Sequence, residues 1–169
     1  MTTGGLSPFS QVKSSVGPTV SIRHFHARAA GINEGSLQAT YRFCNGLMRS
    51  RGLTMMGLAV PSKTSLDGAV RSVYGDQVTR LLDRENRSEL RGTVIQLLTE
   101  KIQVRRLNGP VLAAGIAPAS LLRIVAAQGV TDIVFVPATS AELETYLEAF
   151  SESLACYPMS SFALDVLAP

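Results

Sequence analysis

Residues 109–150 read as two strand–helix units laid end to end with almost nothing between them, and this stretch constrains the fold most. Val111–Ile116 is a short apolar run closed by Pro118, and Ile133–Val136 is another closed by Pro137. Runs of this length, apolar on both faces, suit interior strands of a parallel sheet whose gaps are bridged by helices. Ser120 and Gly129 mark the start and stop of the intervening helix. Thr139 to Glu142 spells a capping box, in which the Thr hydroxyl accepts an orphan N–H and the Glu reaches back. Leu53–Val60 is a third run of the same kind, followed by Pro61.

Between and around these runs the pattern is helical. Leu37, Tyr41, Cys44 and Met48 fall at helical spacing, with Asn33 or Ser36 able to cap the start and Gly52 able to end it. A further helix is expected from Leu66 through Val70 and Val73 to Leu81, and Gly75-Asp76 can break it in two. Residues 88–104 fit both periodicities. A strand from Thr93, antiparallel or at an edge, is preferred, because no helix-length segment separates it from Val111. Residues 105–110 then form a turn through Asn108-Gly109-Pro110. Phe162–Leu167 is read as a last short strand.

The expected fold is therefore a three-layer α/β domain, Rossmann-like or flavodoxin-like. It has a mainly parallel sheet of four to five strands, helices on both faces and a basic helical N-terminal segment. Residues 1–30 are expected to form a flexible or partner-ordered basic arm, and residues 31–169 a single α/β domain. No apolar run reaches the roughly 18 residues of a membrane span. The first residues lack the apolar core of a secretory signal, so a cytoplasmic protein is expected. Cys44 and Cys156 read as small buried hydrophobes.

Charge is unevenly spread. Through Arg51 the chain carries Lys13, Arg23, Arg28, Arg42, Arg49 and Arg51 against Glu34 alone, a net +5 within a total of +3. A basic third joined to a mildly acidic body points to an anionic partner. Aromatic residues make up only 6% of the chain and none lies among Arg80, Arg84, Arg87, Arg91, Lys101, Arg105 and Arg106, so backbone contact fits better than base stacking there if the partner is nucleic acid. Arg80, Arg84 and Arg87 share a helical face with acidic residues interspersed, which makes intrahelical ion pairs the simpler reading. Arg105 and Arg106 are expected in an exposed turn.

Three strand exits, AVPSKTS, GIAPAS and FVPATSAE, deliver helix N-termini that favour anions. The candidate anion-binding residues are Ser62, Lys63, Thr64 and Ser65, with Ser120, Thr139 and Ser140 from the other two exits. Neither GxxxxGK[ST] nor GxGxxG occurs, so no nucleotide fingerprint supports them. Asp67 and Glu142 fit their helix first turns for dipole reasons alone. His24 and His26, spaced i, i+2, share one face of a strand. They lack the neighbouring ligands a metal requires. No metal and no cofactor is expected, and no catalytic constellation emerges.

Two functional readings follow. The first is a non-catalytic binding or assembly domain, expected as a homo-oligomer. It would meet an acidic protein partner or nucleic acid through Arg23, Arg28, Arg42, Arg49, Arg51, Arg105 and Arg106. The second is a small enzyme or sensor holding a phosphorylated or nucleotide ligand at the Ser62–Ser65 loop.

Overall fold

The computed structural model describes residues 21–156. In chain order the elements are β1 (Arg23–His26), α1 (Glu34–Arg51), β2 (Met55–Ala59), a single 3-10 turn (Lys63–Leu66), α2 (Ala69–Tyr74) and α3 (Asp76–Glu85). Then come β3 (Arg87–Leu90), β4 (Thr93–Leu98), β5 (Arg106–Ala114), α4 (Pro118–Ile124), β6 (Gln128–Val136), α5 (Ser140–Ala149) and β7 (Leu154–Ala155). The strands form one sheet in the order β3-β4-β2-β5-β6-β1-β7. Only β3 runs antiparallel to its neighbour; the other pairs are parallel. No helix among the described residues is long and apolar enough to cross a membrane.

The three proline-closed segments lie side by side and point the same way. Gly57–Ala59 of β2 pairs with Val111–Ala113 of β5, and Val111–Ala114 pairs with Ile133–Val136 of β6. Alternate side chains go to two separate cores, as the strand period requires. Met56, Leu58, Leu112, Ala114, Val134 and Val136 pack with residues of α1, α2 and α3, including Leu37, Leu47, Val70 and Leu82. Ala59, Val111, Ala113, Ile133 and Phe135 pack with Leu121 and Ile124 of α4 and Tyr146 of α5.

Helix α1 starts and stops as its sequence dictates. Asn33 Oδ1 accepts from the Ser36 amide at 2.9 Å, Ser36 Oγ accepts from the Asn33 amide at 3.1 Å, and Gly52 closes the helix in the left-handed conformation. Leu37, Cys44 and Met48 are buried, and Tyr41 packs at the margin of the core. Gly75 separates α2 from α3. Thr139 caps α5 by accepting from the Glu142 amide at 3.2 Å.

Several expectations are corrected. Among the described residues the sheet has seven strands, not four or five. Residues 23–26, within the segment expected to be an arm, are a sheet strand between β6 and β7, with Phe25 buried against Phe43 of α1. The rest of that arm, residues 1–20, and Phe162–Leu167 lie outside the described residues. The strand expected from Thr93 is present as β4 and runs antiparallel to β3, with Arg91 and Gly92, both at positive φ, turning the hairpin, but it lies inside the sheet, parallel to β2, and not at the edge. The return to β5 is made by residues 99–105 without a helix, tied at its start by paired backbone hydrogen bonds between Thr99 and Ile102.

The expected turn at 105–110 is largely strand. Gly109 lies in β5 because a Cβ there would fall 1.8 Å from the Met55 carbonyl oxygen. The glycine serves close approach of two strands, not a reversal. In α4, Pro118 rather than Ser120 stands at the helix start, and the helix ends at Ile124, so Gly129 opens β6 instead of stopping a helix. Gly109→Ala is expected to push β5 off β2 and destabilise the fold by about 3 kcal/mol, read as a fall in the denaturant midpoint.

Candidate functional site

The connections from neighbouring strands lead to opposite cores at two places on the C-terminal edge. The chain leaving β2 enters the core of α1–α3 while that leaving β5 enters the core of α4 and α5. The same divergence separates β1, which leads into α1, from β6, which leads into α5. Such switch points open crevices in parallel sheets.

The β2/β5 crevice receives the Ser62–Ser65 loop. Here Ser62, Lys63 and Thr64 are already engaged within the protein. Ser62 Oγ lies 2.7 Å from Thr64 Oγ1, and the Lys63 ammonium donates to the Asp83 carbonyl. The helix that follows is one 3-10 turn, and Ser62 makes no side-chain cap. Asp67 pairs with Arg71 at 2.8 Å. The other two predicted exits are similarly occupied. Ser120 Oγ accepts from Arg123 at 3.3 Å. At α5 the Glu142 carboxylate accepts from the Ala138 amide at 2.7 Å, where a bound anion would otherwise sit, and Ser140 is exposed beside it.

The β6/β1 crevice holds a cavity of about 590 Å³. Ala27, Ala39, Phe43 and Cys156 line it with apolar surface, and exposed Arg28 and Arg42 line it as well. Gly31 and Ser36 bring the start of α1 to its wall. The β1 and β6 exits are joined there by the Gly31 amide, which donates to the Pro137 carbonyl at 2.9 Å. This site was missed in the sequence because 21–30 read as part of a polar arm. The signal was present: small residues Ala27, Ala29, Ala30 and Gly31 lie between β1 and the Asn33 cap.

The arginines expected to meet a partner fall on both ends of the sheet. Arg23 and Arg51 converge on Asp132, which has no exposed surface, at 2.8 and 3.0 Å. Thr131 Oγ1 donates to the same carboxylate at 2.8 Å. A buried carboxylate demands such compensation, so these two cations are structural. Arg28 and Arg42 line the cavity, and Arg49 is exposed on α1. Arg105 and Arg106 stand at the start of β5, at the opposite edge from the cavity, with Arg106 donating to Asn108 at 3.2 Å.

The two histidines share one face of β1, as their spacing requires, and this face meets α5 and the segment after it. His24 Nδ1 lies 2.8 Å from the Tyr146 hydroxyl and its ring stacks on Phe150 at 3.9 Å. His26 Nδ1 lies 2.8 Å from Ser153 Oγ. Burial lowers the pKa of both imidazoles, with the charge of Glu152 opposing the shift at His24. Burial raises the Tyr146 phenol, an effect that Ser153 partly offsets. The Cys156 thiol is pushed up to about 12 by burial, and that of Cys44 is raised as well, so neither is a ready nucleophile at neutral pH. Tyr146 and Ser153 stand far from the histidines in sequence, and no local signal joins them. Among the described residues no cluster of three or more His, Cys, Asp or Glu side chains is arranged to hold a metal ion.

Comparisons with protein-family models, with curated proteins and with solved structures find no match to this chain. Tyr146→Phe keeps the ring stack on Phe135 but removes the partner of His24 Nδ1. It is expected to cost about 1 kcal/mol in chemical denaturation at neutral pH.

Proposed function

We propose that this chain is a binding domain for a small anionic ligand, phosphorylated or carboxylate-bearing, held in the cavity between the β1 exit and the start of α1. One observation carries the reading. A cavity of about 590 Å³ lies at a switch point on the C-terminal edge of the sheet, within the size range of small-molecule sites and in the place where parallel α/β sheets usually bind ligands. Its apolar surface suits the body of such a ligand, and Arg28 and Arg42 suit its charged group. The small residues from Ala27 to Gly31 let a ligand approach the backbone closely. With this reading goes the description of the domain as a three-layer, Rossmann-like or flavodoxin-like arrangement.

This differs from the Ser62–Ser65 assignment, where the Ser62 and Thr64 hydroxyls and the Lys63 ammonium already bond within the protein. A surface for nucleic acid or an acidic protein remains a second reading because Arg28, Arg42 and Arg49 are all exposed. It is weakened by the commitment of Arg23 and Arg51 to Asp132.

The two readings separate in a thermal-shift screen of phosphorylated and carboxylate compounds against wild type, Ala39→Trp and Lys63→Ala. Ala39 is exposed on α1 and lines the cavity, so an indole there fills the space with little cost to the fold. A ligand that raises Tm in wild type and Lys63→Ala, but not in Ala39→Trp, is the expected result. A shift abolished only by Lys63→Ala would return the site to the Ser62–Ser65 loop. Salt-dependent nucleic-acid binding that Ala39→Trp leaves intact would favour the second reading.

A further inference from the structure

One wall of the cavity hangs on very little sheet. Cys156 lines the cavity, and its amide donates to the His26 carbonyl at 2.8 Å. The strand before it, β7, is only Leu154–Ala155, paired with Phe25 and His26. Two residues pair too little backbone to hold an edge by themselves. Among the described residues, this segment is also fastened by the histidine face, Ser153 on His26 and Phe150 and Tyr146 on His24, and by Cys156 packing on the core that holds Phe25.

We propose that protonation of His26 and His24 releases residues 150–156 from β1, opening the Cys156 side of the cavity and weakening ligand binding as the medium turns mildly acidic. This regulation rests on the reading of the cavity as a ligand site. In the neutral Nε2–H tautomer, each Nδ1 accepts a hydrogen bond from a hydroxyl, Tyr146 for His24 and Ser153 for His26. Protonation turns both ring nitrogens into donors. The Tyr146 hydroxyl, on a fully buried side chain, then loses His24 as acceptor and must share Ser153, whose own hydroxyl loses the acceptor that fixes its direction.

The surroundings do little to compensate an imidazolium. Opposite the histidines β6 places Ile133 and Phe135. Helix α5 contributes Tyr146, and the thiol of Cys156 stays neutral. Glu152 favours the charged form at His24 but is outweighed by burial. Arg23 on β1 and Arg28 two residues beyond it are like charges, and the carboxylate of Asp132 is engaged by Arg23 and Arg51. Both imidazoles therefore titrate below the ordinary value of about 6.5 in the closed form. The open form takes up protons first, so closure is complete above that ordinary value. It is lost progressively as pH falls through the depressed one.

Hydrogen exchange of residues 150–156, corrected for intrinsic rates, tests the switch at about pH 7.5 and about pH 5. Protection is expected to fall at the lower pH in wild type. It should stay constant in His24→Gln/His26→Gln. Constant protection in wild type, or an equal loss in the variant, overturns the proposal. NMR titration of the two imidazoles in wild type provides a check independent of the variant's folding: their midpoints must track the loss of protection, and midpoints at the ordinary value overturn it too. Sulfate, whose charge is constant over this interval, serves as the ligand probe. Weaker sulfate binding at the lower pH supports the coupling, and equal binding at both overturns it. Absence of sulfate binding at both, with the exchange change intact, counts against the cavity reading alone.

Discussion

The Asp132 carboxylate is the constraint on which the arrangement of this sheet turns. It lies in β6 with no exposed surface, and a lone ionised carboxylate in such a place is intolerable. Arg23 comes from β1, beside it in the sheet, and Arg51 comes from the last turn of α1. One buried charge thus specifies the strand, its neighbour and the end of the crossover helix. Both arginines keep part of their surface in water, which lowers the desolvation cost of the cluster without leaving the carboxylate unpaired. The basic excess of the first third of the chain is partly a consequence of this internal demand.

With β1 fixed beside β6, their exits diverge into different cores and leave an opening. The residues there are small, so the divergence becomes a cavity instead of filling with side chains. On the other side of β1 the sheet ends in a two-residue strand held largely by the histidine face. The tight end of β1 is the ion cluster, and the loose end is the cavity wall. That asymmetry is the basis for both the ligand reading and its coupling to protonation.

Much of the sheet's centre was legible in the sequence. The runs in β2, β5 and β6 are apolar on both faces, and their parallel alignment follows from that and from the helices between them. The helix caps at Asn33 and Thr139 were legible because capping depends on residues three apart. What depends on distant partners was not. The strand β1 was obscured by its two histidines and an arginine, whose neighbours are Tyr146, Ser153 and Asp132. Strand β4 was legible from Thr93 despite a competing helical periodicity, but its hairpin partner β3 was not, and Gly109 mimicked a turn because close strand approach and chain reversal both select glycine. Of the candidate anion sites, the exits carrying hydroxyls and a lysine drew the sequence reading. The structure commits most of those groups to internal bonds, while the cavity lies at an exit marked mainly by small residues.

The central claim is that the Asp132 charge, compensated by Arg23 and Arg51, holds β1 in the sheet. Guanidinium unfolding of Arg23→Met/Arg51→Met, alone and with Asp132→Asn added, tests it most directly. The account predicts a loss of about 3–5 kcal/mol for the double variant, because a buried carboxylate is left uncompensated. It also predicts recovery of most of that loss when the carboxylate is neutralised. A double variant as stable as wild type, or a loss that Asp132→Asn does not relieve, would contradict it.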